Sequence, residues 1–161
     1  MTVILDDIRS INNVGSIFRT ADALGIQKIY LGGITPEPLD SFGRPLQRFV
    51  KVSLGAEKTV AWEKIKIVRR LIDNLKKDGY QIIAVEQSEK SVPYNKLNIK
   101  KSDFGKIAFI FGNEVEGISK SILEKCDKIA EIPMRGKKES LNVAVSFGIV
   151  MFHLLYGNKG H

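Results

Sequence analysis

Short apolar runs alternate along the chain with amphipathic stretches. Most of the runs lack the period-two alternation of a half-buried strand, which predicts strands buried on both faces. The predicted strands are residues 3–5, 28–31, 81–85, 106–111 and 128–132. Apolar spacing close to 3.6 predicts helices at residues 15–24, 62–77, 120–125 and 141–156. Buried strands joined by helices predict an α/β fold, with a parallel sheet flanked by helices.

The last predicted helix, residues 141–156, is apolar on nearly every side. A helix of this kind is buried all round, and in a small domain one side can pack on the sheet while the other contacts a second subunit. We therefore expect a homodimer. The stretch is shorter than the ~20 residues that a bilayer requires and contains Asn142, Ser146 and His153, so we expect no membrane span.

Length and charge narrow the class of protein. The 161 residues predict a single domain, and the formal net charge of +7, with a pI near 9.5, favours an anionic partner such as a nucleic acid. The single cysteine, Cys126, excludes an intrachain disulfide. The first nine residues do not have the pattern of a signal peptide, and we expect a cytoplasmic protein.

The sequence lacks the residues that several common classes of active site require. The chain contains no G-x-x-x-x-G-K-[ST] phosphate loop, no G-x-S-x-G elbow and no G-x-G-x-x-G after a strand. With one cysteine and only His153 and His161, no zinc site can be drawn, and we expect no metal. His153 is interpreted as a satisfied core residue and Cys126 as packing or surface. Any catalysis must then rest on Arg, Asn, Ser and Glu.

A first polar cluster, residues 7–21, follows the first predicted strand. Asn12 or Asn13 can cap the next helix, and Gly15 lets a ligand or another backbone approach its first turn. Arg19 lies one turn further on, so that the helix N-terminus and a guanidinium could together seat a phosphate. A capped helix with a solvated arginine is the alternative interpretation.

Two further clusters follow later strands. In residues 109–118 an apolar strand runs into a glycine-bracketed acidic turn that contains Glu114, for which a solvated tight turn is the alternative. In residues 132–144 a basic loop leads into the apolar helix, where we expect Ser140 to be the N-cap and Asn142 to lie in the first turn as a buried amide. All three clusters follow strands at one edge of a parallel sheet, where ligands bind.

The motifs N-N-V-G-S-I-F-R-T-A, I-F-G-N-E-V-E-G-I-S and I-P-M-R-G-K-K-E-S-L-N-V-A-V-S resemble, in order, the three motifs of SpoU-type RNA ribose 2′-O-methyltransferases of the SPOUT class. This resemblance, which covers residues 3–155, implies a C-terminal deep trefoil knot formed by residues 107–155. It also implies that the knot binds S-adenosyl-L-methionine and that the first and last helices form a homodimer. Residues 1–161 would then be one catalytic domain without an accessory RNA-binding domain.

Site residues are transferred from the family by position. The polar active-site positions correspond to Asn13, Arg19, Glu114, Ser140 and Asn142. The positions that contact the cofactor correspond to Gly112, Ile132, Met134 and Leu141, and a further loop near the adenosine corresponds to Val85 and Glu86. The residues expected to bind RNA are Arg9, Arg135, Lys137 and Lys138.

The resemblance implies methyl transfer to a ribose 2′-hydroxyl of tRNA or rRNA, without deciding which RNA or nucleotide. A guanidinium is effectively always protonated, so we expect Arg19 to hold the phosphate beside the target ribose and orient the hydroxyl. Proton removal by Arg19, or through the phosphate itself, is the alternative. One competing interpretation is a non-catalytic RNA-binding protein of the same fold. Another is a SPOUT enzyme that methylates a base nitrogen, which the N-x-G-x-I-x-R arrangement disfavours.

Overall fold

A computed structural model describes residues 1–157, so that His161 lies outside the described part of the chain. Its strands form one seven-stranded sheet in the order β3-β2-β1-β6-β4-β7-β5, and every neighbouring pair is parallel. The strands are β1 (Thr2–Asp6), β2 (Lys28–Gly32), β3 (Ala61–Ile65), β4 (Gln81–Val85), β5 (Val92–Pro93), β6 (Ile107–Phe111) and β7 (Lys128–Glu131). The predicted parallel sheet is confirmed.

Helices cover both faces of the sheet. They are α1 (Ile11–Leu24), α2 (Gln47–Ser53), α3 (Ala56–Thr59), α4 (Val68–Lys77), α5 (Lys120–Leu123) and α6 (Val143–Phe152), which continues into a π-helical turn at His153–Gly157. Helices α2 and α3 were not predicted, because helices of seven and four residues are too short to display a 3.6-residue period. No helix within residues 1–157 has the length and apolar character needed to cross a membrane.

Alternate residues of the central strands enter two separate cores. On β1, Val3 and Leu5 pack with α1, α2 and α6, whereas Ile4 packs with α4 and α5 on the opposite face. This is the geometry of a strand buried on both faces, which explains the continuous apolar runs of the sequence. The carboxyl ends of β1, β6, β4 and β7 therefore lie side by side at one edge, between the two helical layers.

The predicted helix over residues 62–77 is wrong in its first part. The structure has strand β3 at Ala61–Ile65, paired in parallel with β2, and helix α4 begins only at Val68. Strand β3 is one of the two edge strands, and its residues are exposed or half-buried. The apolar spacing predicted a helix that starts too early, because Ile65 lies three residues before Val68 and so matches the same helical face. In the structure, pairing with β2 determines the conformation of this segment.

The N-caps of two helices also differ from the prediction. Helix α1 begins at Ile11, where the Ser10 hydroxyl, and neither Asn12 nor Asn13, accepts the capping hydrogen bond. At the C-terminus of α1, Gly25 adopts a left-handed conformation, with φ +66°, which a residue without a Cβ accommodates readily. The cap of α6 is part of the candidate site.

Candidate functional site

Glu114, in the loop after β6, binds the loop that leads into α1. Its Oε2 accepts from the backbone N–H of Arg9 at 3.1 Å, and its Oε1 accepts from the N–H of Ser10 at 3.3 Å and from Asn13 Nδ2 at 3.1 Å. The carboxylate thus satisfies two backbone donors beside the start of α1, where negative charge is favourable. Residues about 100 positions apart in the sequence form one polar cluster.

Asn13 extends this cluster to the third loop. Its Oδ1 accepts from Asn142 Nδ2 at 3.0 Å, and Asn142 Oδ1 in turn accepts from the backbone N–H groups of Ala144 and Val145 at 2.9 and 3.4 Å. Asn142 is therefore the N-cap of α6 and is exposed, so the predictions that Ser140 caps this helix and that Asn142 is a buried amide within it are wrong. The short Asn side chain competes better for the cap because it directly precedes the helix.

The surroundings of Glu114 favour its ionised form. Partial burial alone would raise its pKa, but the hydrogen bonds from Arg9 N–H, the Asn13 side chain and Ser10 N–H together hold the pKa below its ordinary value. Glu114 is therefore a carboxylate at neutral pH that accepts hydrogen bonds. It is not a proton donor.

Asn113 is a structural residue of the site that the sequence analysis did not select. Its side chain is buried and donates to Asp7 O at 2.8 Å, while its Oδ1 accepts from the N–H groups of Val115 and Glu116 at 2.8 and 3.0 Å. These bonds shape the acidic turn and tie it to the end of β1. The signal was its place in the I-F-G-N-E motif, directly before Glu114.

A cavity of about 260 Å³ opens beside this cluster, at the carboxyl ends of β4, β6 and β7. All six residues that the resemblance assigned to the cofactor line it, namely Val85, Glu86, Gly112, Ile132, Met134 and Leu141. Glu114 and Ser140 also line it, whereas Asn13 and Asn142 do not. The lining includes four glutamates and no Lys, Arg or His, so the cavity of this basic protein is acidic.

Glu86 holds the wall of the cavity together. Its Oε2 accepts from Ile118 N–H and its Oε1 from Gln87 N–H, both at 2.9 Å, while Gln87 Nε2 donates to the carbonyl of Glu139 in the basic loop. Gly117, with φ +69°, leaves room for this carboxylate, because a Cβ there would lie 2.4 Å from Glu86 Oε2. Loops after β4, β6 and β7 are thereby joined around the cavity.

The predicted basic residues lie outside the cavity. Arg19 is exposed on α1 and has neither a hydrogen bond from its side chain nor an ion pair within residues 1–157. Arg9 is paired with Glu116 at 3.6 Å in a largely exposed contact. The basic loop is exposed at all three predicted positions, which are Arg135, Lys137 and Lys138. The single chain thus joins Asn13, Glu114 and Asn142 but leaves Arg19 apart.

His153 and Cys126 lie away from this cluster. His153 packs edge-on against Tyr94 with ring centroids 5.1 Å apart, and its buried Nε2 has no hydrogen-bond partner among residues 1–157, so it is a packing residue that is not fully satisfied. Burial, followed by the charge of Asp127, raises the pKa of Cys126 to about 11. A thiol with this pKa is not an activated nucleophile.

Comparisons with known proteins agree with the motifs. The tRNA (guanosine(18)-2'-O)-methyltransferase of Borreliella burgdorferi is 32% identical over 96% of this chain, and the 23S rRNA (guanosine-2'-O-)-methyltransferase RlmB of Neisseria meningitidis is 34% identical over 94%. The chain spans 66% and 56% of the length of these two relatives. The AdoMet-bound rRNA methyltransferase structure from Sinorhizobium meliloti superposes with a TM-score of 0.84 at 28% identity, covering 99% of this chain and 57% of that one.

The family itself is shown by a match over nearly the whole chain. The model of the SpoU rRNA Methylase family matches residues 1–152, which contain the sheet, the polar cluster and the acidic cavity. The two sequence relatives match over 96% and 94% of this chain, and the Sinorhizobium meliloti structure shares its fold. The chain therefore belongs to the SpoU rRNA Methylase family.

Proposed function

We propose that this chain transfers a methyl group from S-adenosyl-L-methionine to the ribose 2′-hydroxyl of a tRNA or rRNA nucleotide. The observation that carries the proposal is the junction of three loops, in which Glu114, Asn13 and Asn142 form a continuous hydrogen-bonded set beside the acidic cavity. The two curated relatives described above are named as guanosine 2′-O-methyltransferases, one of tRNA and one of rRNA.

The composition of the cavity fits the proposed cofactor. Val85, Ile132 and Leu141 provide apolar surface for a flat ring system, and Gly112 lets the loop at Gly117 and Ile118 pack closely beside them. S-adenosyl-L-methionine carries a sulfonium and an ammonium group, which four lining glutamates and no lining cation would favour. When bound, it would supply the methyl group as an electrophile.

The residues around the cavity would then position the RNA. Ser140, at the lip of the cavity, could hydrogen-bond the target ribose, and the Glu114–Asn13–Asn142 set would keep the three loops in register. Arg19 would hold the phosphate beside the target ribose and orient the hydroxyl. Such positioning can accelerate a reaction by several powers of ten, and the proton of the attacking hydroxyl would pass to the adjacent phosphate or to solvent as the new C–O bond forms.

The proposal includes a homodimer formed through α1 and α6. Along one side of α6 and the turn after it, Val145, Phe152 and Tyr156 are 49%, 46% and 56% exposed, an apolar stripe that a second copy could cover. Since α1 belongs to the proposed interface, the dimer would also decide which cavity Arg19 faces. Light scattering after size exclusion tests this point, and a monomer at micromolar concentration would contradict it.

We also propose that residues 107–155 form a deep trefoil knot. Supporting this, β7 lies beyond β4 in the sheet, yet the chain returns so that Phe147 of α6 packs on Phe111 of β6 with ring centroids 5.2 Å apart. The segment between β7 and α6 therefore passes the loop after β6, with which it shares the cavity.

The proposal also includes a cytoplasmic location, which an RNA substrate would fit.

The test is transfer of labelled methyl from S-adenosyl-L-methionine to unmodified tRNA and, separately, to naked ribosomal RNA. Label recovered as a 2′-O-methylnucleoside, in a phosphodiester that resists alkali, is the expected result. Arg19→Ala should abolish turnover while leaving cofactor affinity nearly unchanged. Label on a base nitrogen, or cofactor binding without transfer to either RNA, would contradict the proposal, and the second outcome would favour a non-catalytic RNA-binding protein.

A further inference from the structure

The loop between β2 and α2 ends in a tightly bonded turn at residues 40–44. Asp40 Oδ1 accepts from the N–H groups of Phe42 and Arg44 at 2.9 and 3.0 Å, and Asp40 Oδ2 accepts from Arg44 Nε at 2.9 Å. Two backbone hydrogen bonds, Asp40 N–H to Arg44 O and Gly43 N–H to Asp40 O, close the same turn. Gly43 has φ +74°, a conformation that most side chains disfavour. The turn has one well-defined shape.

This rigid turn presents Phe42 to solvent. The phenyl ring is 80% exposed, and the Arg44 guanidinium lies over it at 5.0 Å from the ring centroid. A phenylalanine with so little buried surface contributes little to the stability of the fold. The hydrogen bonds of the turn therefore hold an aromatic ring and a cation in an exposed position at the tip of the loop. Packing in the core does not explain this arrangement.

The base of the loop is tied to the candidate site. The Thr35 hydroxyl accepts from Ile8 N–H at 3.1 Å and donates to Leu5 O at 3.0 Å, which fixes the loop on the end of β1. The next two residues after Ile8 donate their N–H groups to Glu114. The loop thus follows β2 at the same edge of the sheet as the cavity, two strands away from β6.

The charge next to this loop is positive. Helix α2 begins three residues after Arg44, and its Arg48 and Lys51 are exposed one turn apart. Neither has an ion-pair partner within the described chain, and α2 contains no acidic residue. Unpaired cations beside an exposed aromatic ring favour a ligand that combines negative charge with flat apolar faces, which is the chemistry of single-stranded RNA.

We propose that Phe42, backed by Arg44, is a stacking platform for an unpaired nucleobase of the RNA substrate, with Arg48 and Lys51 contacting the adjacent phosphates. This inference rests on the proposed function for the identity of the substrate. Stacking on an aromatic ring tolerates any base, because every base has a π face. The platform strengthens binding of an unpaired segment near the target ribose and does not read its sequence.

The test compares two anionic probes in fluorescence anisotropy. One is an oligoadenylate of about 12 nucleotides, within the length that one single-strand site covers, and the other is an abasic ribose-phosphate oligomer of the same length. Phe42→Ala should weaken oligoadenylate binding by roughly 5- to 150-fold, the range measured for loss of one base–aromatic stack, and leave abasic binding unchanged. Phe42→Tyr should retain the preference for oligoadenylate.

Two variants serve as matched controls. Leu39→Ala removes another exposed apolar side chain of the same loop, one without a π face for a base to stack on, and should leave both affinities unchanged. Arg48→Ala should weaken both probes alike and reduce the salt dependence of binding. An unchanged thermal midpoint for Phe42→Ala verifies folding, as expected for an 80% exposed side chain.

Three outcomes would overturn the platform: equal affinity of the native chain for the two probes, no binding of either at millimolar concentration, or an equal loss for both in Phe42→Ala. The methyl-transfer assay separates this inference from the proposed function. Methyl transfer without a preference for oligoadenylate rejects the platform alone. A preference that depends on Phe42, without methyl transfer to any RNA, rejects the proposed activity alone.

Discussion

Glu114→Gln isolates the contribution of a single carboxylate to the assembly of the site. The native carboxylate accepts three hydrogen bonds, from Arg9 N–H, Ser10 N–H and the Asn13 side chain. A glutamine has the same shape but only one acceptor oxygen. If that oxygen replaces Oε1, its amide group faces Arg9 N–H, so that two donors oppose each other.

The expected loss follows from these contacts. A hydrogen bond to a charged group contributes about 1.5–3 kcal/mol and a neutral one about 0.5–1.5 kcal/mol. Losing the Arg9 bond and converting the other two from charged to neutral gives roughly 3.5–6 kcal/mol for a fully buried site. Because Glu114 is only half-buried, we expect about 2 kcal/mol in the free energy of unfolding at pH 7.

Urea unfolding at pH 7 and pH 3.5 measures this difference. The environment of Glu114 lowers its pKa, so its stabilisation is present above the unfolded pKa near 4.5 and is lost as the pH falls through the lower folded value. The gap between native and Glu114→Gln proteins should therefore narrow at pH 3.5. Faster amide hydrogen exchange at Arg9 and Ser10 should accompany the loss at pH 7.

Glu116→Gln is the matched control. Glu116 lies two residues further along the same turn and is largely exposed, and within residues 1–157 its carboxylate pairs only with Arg9, at 3.6 Å. Its substitution should therefore change the free energy of unfolding by less than about 0.5 kcal/mol. If the Glu114 and Glu116 variants unfold at the same urea concentration at pH 7, with native exchange rates at Arg9 and Ser10, the carboxylate does not assemble the site as described.

Three further perturbations test other parts of the molecule. Burial, followed by the charge of Asp7, raises the pKa of Asp6 from 3.8 to about 6, so ionisation of Asp6 should destabilise the fold by up to about 3 kcal/mol as the pH rises through this interval. In urea unfolding, Asp6→Asn should therefore be more stable than the native chain at pH 8 and equally stable near pH 3. A difference in stability that does not change with pH would reject this. Gly112→Ala should destabilise the fold by about 1–3 kcal/mol and weaken S-adenosyl-L-methionine binding in calorimetry, because its Cβ would lie 2.7 Å from a backbone nitrogen. In the control Gly105→Ala the new Cβ has no heavy atom within 4 Å, so stability and cofactor binding should both be unchanged. Asn142→Ala should cost about 1 kcal/mol as the lost N-cap of α6, measured by thermal unfolding, and an unchanged midpoint would contradict the cap.

The sequence by itself determined the class of fold and the region of the site. Strands buried on both faces are apolar at most of their positions, so β1, β4 and β6 were visible as continuous runs in their central residues. A parallel sheet brings the carboxyl ends of its strands to one edge, and this alone predicted that the polar clusters after β1, β6 and β7 would meet. The three motifs added residue identities, among them Gly112, Ile132, Met134 and Leu141 of the cavity lining, and the family resemblance added Val85 and Glu86 from a further loop.

Only the tertiary structure decided the details that depend on partners distant in the chain. Strand β3 is extended because β2 offers it a hydrogen-bonding edge, although its local spacing favours a helix. The side-chain bonds of Glu114, and the one from Asn142 to Asn13, join residues more than 100 positions apart, and no local pattern encodes such pairs. The apolar character of α6 did not reveal which side is exposed, because burial depends on what packs against a helix as well as on its own residues.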